Sequence, residues 1–233
     1  MSKRVEAIDR VESLARKYFS GSGQFLEQTS PTGKSWAGSD LGEVPSKISR
    51  GDLLDDGKKL SDINYQDFFV QVMAWGHGPA GYAAFRTRRV LDWIHMPNNR
   101  NSNHLDRWCS RLRAVAGMGP QESFEFLASG EGNVKYLGPA FSTKLLYFLS
   151  PPNHRLPILD SLVHQWLWDQ GVATNDKPIE LDHNDGEGYM SYINFCDDAL
   201  ERLDMTQELG TEHDRGFVEY LIFCDQAMSD ATR

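Results

Sequence analysis

Apolar residues recur every three or four positions through most of the chain, and no segment of useful length alternates as a half-buried strand would. Val5, Ile8, Val11, Leu14, Ala15 and Tyr18 fall at helical spacing, and Gly21-Ser-Gly23 supplies the breaker. Residues 20–60 hold neither period and are rich in Gly, Ser, Pro and Asp, which predicts a long irregular connection wrapped on the surface. From about residue 62 helical periods dominate. Asp62 or Asn64 is placed to cap a helix through Trp75, and Gly76-His-Gly-Pro-Ala-Gly81 makes a turn into the next helix, with Pro79 near its first turn. That helix is expected to turn Phe85, Val90 and Trp93 inward and to end at Met96-Pro97. An Asn-rich loop over 97–103 leads into a helix over 105–116, closed by Gly117-Met-Gly-Pro120, and a shorter helix over 121–128 follows. The class is all-α, with an N-terminal helix and wrapping segment over 1–61 and a helical domain over 62–233.

Composition narrows the picture. The 233 residues are 40% hydrophobic and 24% charged, enough for a real core, and no apolar run approaches the roughly 20 residues of a membrane-spanning helix. The N-terminus runs directly into a charged amphipathic pattern without an apolar signal core, so a cytoplasmic protein without membrane association is expected. Cys109, Cys196 and Cys224 are odd in number and widely spaced, which suits buried free thiols better than disulfides or a zinc site. The net charge of −9 hides an asymmetry: residues 84–165 carry 10 basic and 6 acidic groups, whereas 166–233 carry 4 basic and 16 acidic ones. A positive middle suits nucleic acid bound through one face; a solvated acidic helix pair at the C-terminus explains the remainder equally well.

Two motif matches fail on inspection. Gly33-Lys34-Ser35 resembles the end of a P-loop, but the required earlier glycine is Gln28 and no strand precedes it. Asp182-His-Asn-Asp-Gly186 resembles a calcium loop, yet that register puts Leu181 and Tyr192 at the first and last ligand positions. The 7 His residues show no metal-ligand spacing, so no metal and no cofactor is expected.

The chemistry concentrates in residues 135–166. A short helix running into Gly138-Pro139, followed by a very apolar helix beginning near Ser142, makes a helical hairpin over about 130–149. Backbone N–H groups at the start of the second helix, at Gly138, Ala140, Ser142 and Thr143, are placed to hold a phosphate. Lys144 interrupts the run Leu145, Leu146, Phe148, Leu149, where burial and the positive helix end both press towards the neutral, nucleophilic amine. Asp160 follows Pro157-Ile-Leu at the start of the next helix. A lysine nucleophile with an assisting carboxylate is a workable pair for attack at a sugar anomeric carbon. The alternative is that Lys144 snorkels at a helix end and Asp160 is only an N-cap.

Leu137-Gly-Pro-Ala-Phe-Ser-Thr-Lys144 followed by Pro157-Ile-Leu-Asp160 resembles the hairpin, lysine and Pro…Asp of the helix-hairpin-helix DNA glycosylases, in their 8-oxoguanine glycosylase branch. The likeness extends loosely over residues 62–228 as a set of helices. It implies that Lys144 is the nucleophile, or the amine contact, at C1′ and Asp160 the assisting carboxylate. Ala140 and Ser142 stand where the hairpin glycines of that superfamily are usual. Phe148, one turn after Lys144, is placed to stack on a flipped base or to pack in the core. The Asn-rich loop over 97–103, with Asn99, Asn101 and Asn103 as equal candidates, resembles the place from which such enzymes fill the gap left by the flipped base. The C-terminal helices are expected to contribute Tyr220 and Phe223 to the base pocket, along with Tyr189, Tyr192, Phe195 and Phe217, whose spacing mostly says core. Glu219 among them is explained equally well by a solvent-facing position.

By the resemblance, the partner is double-stranded DNA with a modified base and the working form a monomer. The role is repair of 8-oxoguanine or anti-phage excision of a hypermodified base such as glucosylated hydroxymethylcytosine. A non-catalytic DNA-binding or adaptor module that keeps the hairpin is the competing expectation.

Overall fold

In a computed structural model the described residues are 2–18, 29–60, 64–96, 105–129, 131–174, 177–205 and 213–231. They form ten α-helices and almost no strand, an all-α fold. α1 (Lys3–Tyr18) docks through Ala7, Val11, Leu14 and Ala15, the stripe that recurs at three and four, and Val5 falls off that stripe and is exposed. It packs on α9 (Gly186–Met205) and α10 (Arg215–Ala231). Arg4 pairs with Asp198 at 2.7 Å, and Arg10 grips Asp225 through two bonds of 2.6 and 2.8 Å. Part of the C-terminal acidic charge is therefore answered from within the chain.

The irregular stretch expected over 20–60 contains a helix. β1 (Thr29–Pro31) pairs antiparallel with β2 (Lys47–Ser49), Ser30 opposite Ile48, and β2 feeds α2 (Arg50–Lys58). Its apolar signal is only Leu53 and Leu54, too short to set a period. A capping box fixes its start, with the Ser49 hydroxyl accepting from the Asp52 N–H and the Asp52 carboxylate accepting from the Ser49 N–H. Gly57 then lets α2 close on the end of α7 (Pro139–Leu149): a Cβ there would lie 2.1 Å from the Phe148 carbonyl oxygen.

α3 (Tyr65–His77) is capped by Asn64, whose side chain accepts from the Gln66 N–H, and packs on α2, α7, α4 (Ala83–Ile94) and α5 (Leu105–Ala116). On α4, Val90 is buried and Trp93 half-buried, but Phe85 points outward, opposite a buried stripe that includes Ala83, Ala84, Thr87 and Leu91. The α5 boundaries agree with the helical period, and Gly117 closes the helix by donating to the Arg113 and Ala114 carbonyls.

The hairpin differs from expectation. Its first helix is α6 (Pro120–Ala128), and residues 131–138 are turns. Gly132 is pinned there, because its carbonyl accepts from Trp108 Nε1 and a Cβ would meet the Phe126 carbonyl. α7 begins at Pro139, with Gly138 as its N-cap, and is central: every residue from Ser142 to Leu149 is buried. α8 (Ser161–Asp169), the two-residue strands β3 (Ala173–Thr174) and β4 (Lys177–Pro178), α9 and α10 complete the body. No described helix is long and apolar enough to cross a membrane.

Candidate active site

α7 meets the segment before α8 through two adjacent links of the same sequence separation. The Thr143 hydroxyl accepts from the Leu159 N–H at 3.1 Å and donates to the Pro139 carbonyl at 2.9 Å. One residue further on, Lys144 Nζ donates to Asp160 Oδ2 at 2.9 Å. Asp160 is also the N-cap of α8: its Oδ1 accepts from the Leu162 and Val163 amides, each at 3.1 Å. One carboxylate oxygen thus fixes the helix start and the other holds the amine. The loop between is locked as well. The Tyr189 and Tyr192 hydroxyls donate to the Pro157 and Ile158 carbonyls, and Arg155 donates to the Tyr147 and Ser150 carbonyls.

The pair lies in the wall of a cavity of about 340 Å³, lined among others by Arg50, Trp75, His77, Ile158, Glu219 and Phe223. α3 crosses directly over the lysine stem at Gly76, where a Cβ would lie 2.9 Å from Lys144 Cδ and 2.7 Å from Phe141 Cε1. The His77 ring lies 4.2 Å from that of Phe141, centroid to centroid, and Lys144 Nζ is 5.6 Å from the Phe141 centroid. Arg50 and Glu219 form a buried pair at 2.5 Å, each 1% exposed, with the guanidinium 4.9, 5.3 and 5.5 Å from the Tyr147, Trp75 and Tyr220 ring centroids. A solvent-facing Glu219 is therefore wrong, and Arg50 carried no sequence signal because its partner lies 169 residues away.

Burial pushes the Asp160 carboxyl up, but the Lys144 charge and hydrogen bond and the two helix amides outweigh it, so the group stays below its ordinary value and ionised at neutral pH. Burial, with the Arg86 and Lys144 charges, brings His77 down to about 4, so its ring is neutral there. Burial lifts Glu219 although Arg50 draws it back.

Phe223 lines the cavity and Tyr220 stacks on Arg50 behind it. Phe148 does not face the cavity: it is buried edge-on to Trp75 and Tyr147. Tyr189, Tyr192, Phe195 and Phe217 are core residues. At the hairpin, Gly138 is exposed and Ala140 half-buried. The Ser142 and Thr143 side chains are buried and engaged, Ser142 with His183 and the Gly138 carbonyl, and the Ser142 N–H is taken by the Gly138 carbonyl. Both side chains are thus held within the fold. Asn99, Asn101 and Asn103 lie outside the described residues. No cluster of three or more metal-ligating side chains occurs among the described residues.

An all-α fold in which Gly138-Pro139 opens a buried helix and Lys144 meets the cap of the next helix beside a cavity is the arrangement that the resemblance to the helix-hairpin-helix DNA glycosylases implied. The family model described as "Putative 8-oxoguanine DNA glycosylase OGG-like protein" matches residues 25–223, and the chain belongs to this family. Membership makes DNA the polymer acted on. No curated protein and no solved structure matches the chain.

Proposed function

We propose that the protein excises an oxidised purine of the 8-oxoguanine class from DNA, with Lys144 as nucleophile and Asp160 as assisting carboxylate. The observation that carries this reading is the 2.9 Å contact of Lys144 Nζ with Asp160 Oδ2 in the wall of the cavity. An extruded nucleotide enters with its C1′ beside the pair. The C1′–N bond breaks with its electrons leaving on the base, and Asp160 stabilises the oxocarbenium-like centre. The Lys144 ammonium gives a proton to the departing base, and the freed amine forms the new C1′–N bond. Opening of the sugar to a Schiff base then permits β-elimination at C3′.

The cavity, about 340 Å³ and lined by Trp75 and Phe223 among others, lies at the small end of the range for ligand sites and is of a size to receive a single base.

The test is incubation with duplexes carrying 8-oxoguanine or glucosylated hydroxymethylcytosine, with borohydride present. Release of 8-oxoguanine and a trapped complex are expected, both lost by about 10³-fold or more in Lys144→Gln while DNA binding is kept. Release without trapping assigns water as nucleophile. DNA binding without release from any substrate means a non-catalytic DNA-binding module.

A further inference from the structure

The outer face of α4 carries Tyr82, Phe85, Arg86 and Arg89, spaced three and four apart along one stripe. Large rings are left in solvent there, Tyr82 at 54% and Phe85 at 64% exposure, and Tyr136 joins them at 50% from the turn before α7. Each ring lies beside a cation. The Arg86 guanidinium is 4.8 Å from the Tyr82 centroid, and Arg89 lies 3.9 Å from Tyr136 and 5.8 Å from Phe85. Lys135 is 5.1 Å from Tyr136.

Three further basic groups of the middle segment meet acids: Arg88 pairs with Asp40, Arg111 with Glu131 and Arg155 with Asp214. Arg86, Arg89 and Lys135 meet rings instead, in a chain whose net charge is −9. Tyr136 holds φ 72°, the only positive value on a non-glycine residue among the described residues, in a region costly for a bulky side chain. The patch adjoins the cavity, since the Tyr82 ring lies 5.8 Å from that of His77 in its lining.

Alternating cations and exposed rings suit a polyanion whose bases are unstacked: the cations meet phosphates and the rings meet base faces. A fully paired duplex offers phosphates but no free base faces. We propose that this patch is a stacking platform for unpaired bases of DNA flanking the extruded nucleotide, so that the protein selects locally opened DNA. The proposal takes the placement of the extruded nucleotide from the glycosylase reading.

The test uses unmodified DNA, which leaves base excision out of the measurement. Fluorescence anisotropy compares a labelled duplex containing a short unpaired loop with its fully paired counterpart. The wild-type protein is expected to prefer the looped duplex. Tyr82→Ala and Phe85→Ala should each weaken looped binding by about tenfold and leave paired binding nearly unchanged, with Phe85→Trp restoring it. A 2-aminopurine in the loop should be quenched by wild type and not by Phe85→Ala. Arg89→Gln should lower the salt dependence by somewhat under one ion. Equal binding of the two duplexes by wild type, or no loss in the ring variants, overturns the platform and leaves the Lys144 assay standing. Loss of base release in Lys144→Gln has no bearing on these affinities, so the two readings fail separately.

Discussion

Replacing Glu219 with Gln tests whether the floor of the cavity is held by charge. The carboxylate accepts from Arg50 at 2.5 Å, both side chains are 1% exposed, and the guanidinium is boxed in by the Trp75, Tyr147 and Tyr220 rings. Arg50 at 1% exposure has little solvent to compensate the lost charge. Breaking one side of such a pair costs about 3–5 kcal/mol. At about 2–4 °C per kcal/mol for a chain of this size, the melting temperature should fall by about 6–20 °C. Removing both charges, as in Arg50→Met with Glu219→Leu, leaves no stranded ion, so the double variant should melt well above Glu219→Gln despite carrying more changes. Thermal unfolding followed by circular dichroism at neutral pH reads both. A fall of less than 2 °C in Glu219→Gln, or a double variant that melts below it, would refute the reasoning.

Asp160 gives a pH signature. Its carboxyl sits below its ordinary value of 3.8, so the stability it contributes is present above that value and lost as pH falls through the lower folded value. Asp160→Asn should flatten the acid limb of wild-type stability, seen in urea melts at stepped pH. Gly76→Ala should displace the Lys144 stem and slow base release in single-turnover kinetics, with folding retained, because the added Cβ would lie 2.9 Å from Lys144 Cδ. His77, brought down to about 4, should show no titration of its ring resonances between pH 6 and 7, and the pH profile of base release should carry no break from it there. A His77 midpoint near 6.5 would contradict the combined effect of burial and the Arg86 and Lys144 charges.

The Lys144–Asp160 pair was legible because both of its determinants are local. A charge in an apolar helix and a Pro-x-x-Asp at a helix start are visible within a few residues, and 16 positions separate them. Arg50 and Glu219 were illegible for the converse reason: their significance is mutual, 169 positions apart. The helix that carries Arg50 did leave a trace in Ser49-x-x-Asp52, the spacing of a capping box, but Leu53 and Leu54 alone do not make a period.

Phe85 is the more instructive error. Hydrophobicity alone sends the first ring of α4 inward, yet the buried stripe begins with the smaller Ala83 and Ala84. The ring on the opposite stripe is then left outside with Tyr82, Arg86 and Arg89. An exposed ring that packing does not require, set among cations beside the cavity, departs from the hydrophobic pattern where a ligand would use it. If the looped-duplex measurement finds base stacking on Phe85, the ring's departure from the hydrophobic pattern and the function of the patch share one cause: the ring's partner is DNA, and the sequence of the protein does not contain it.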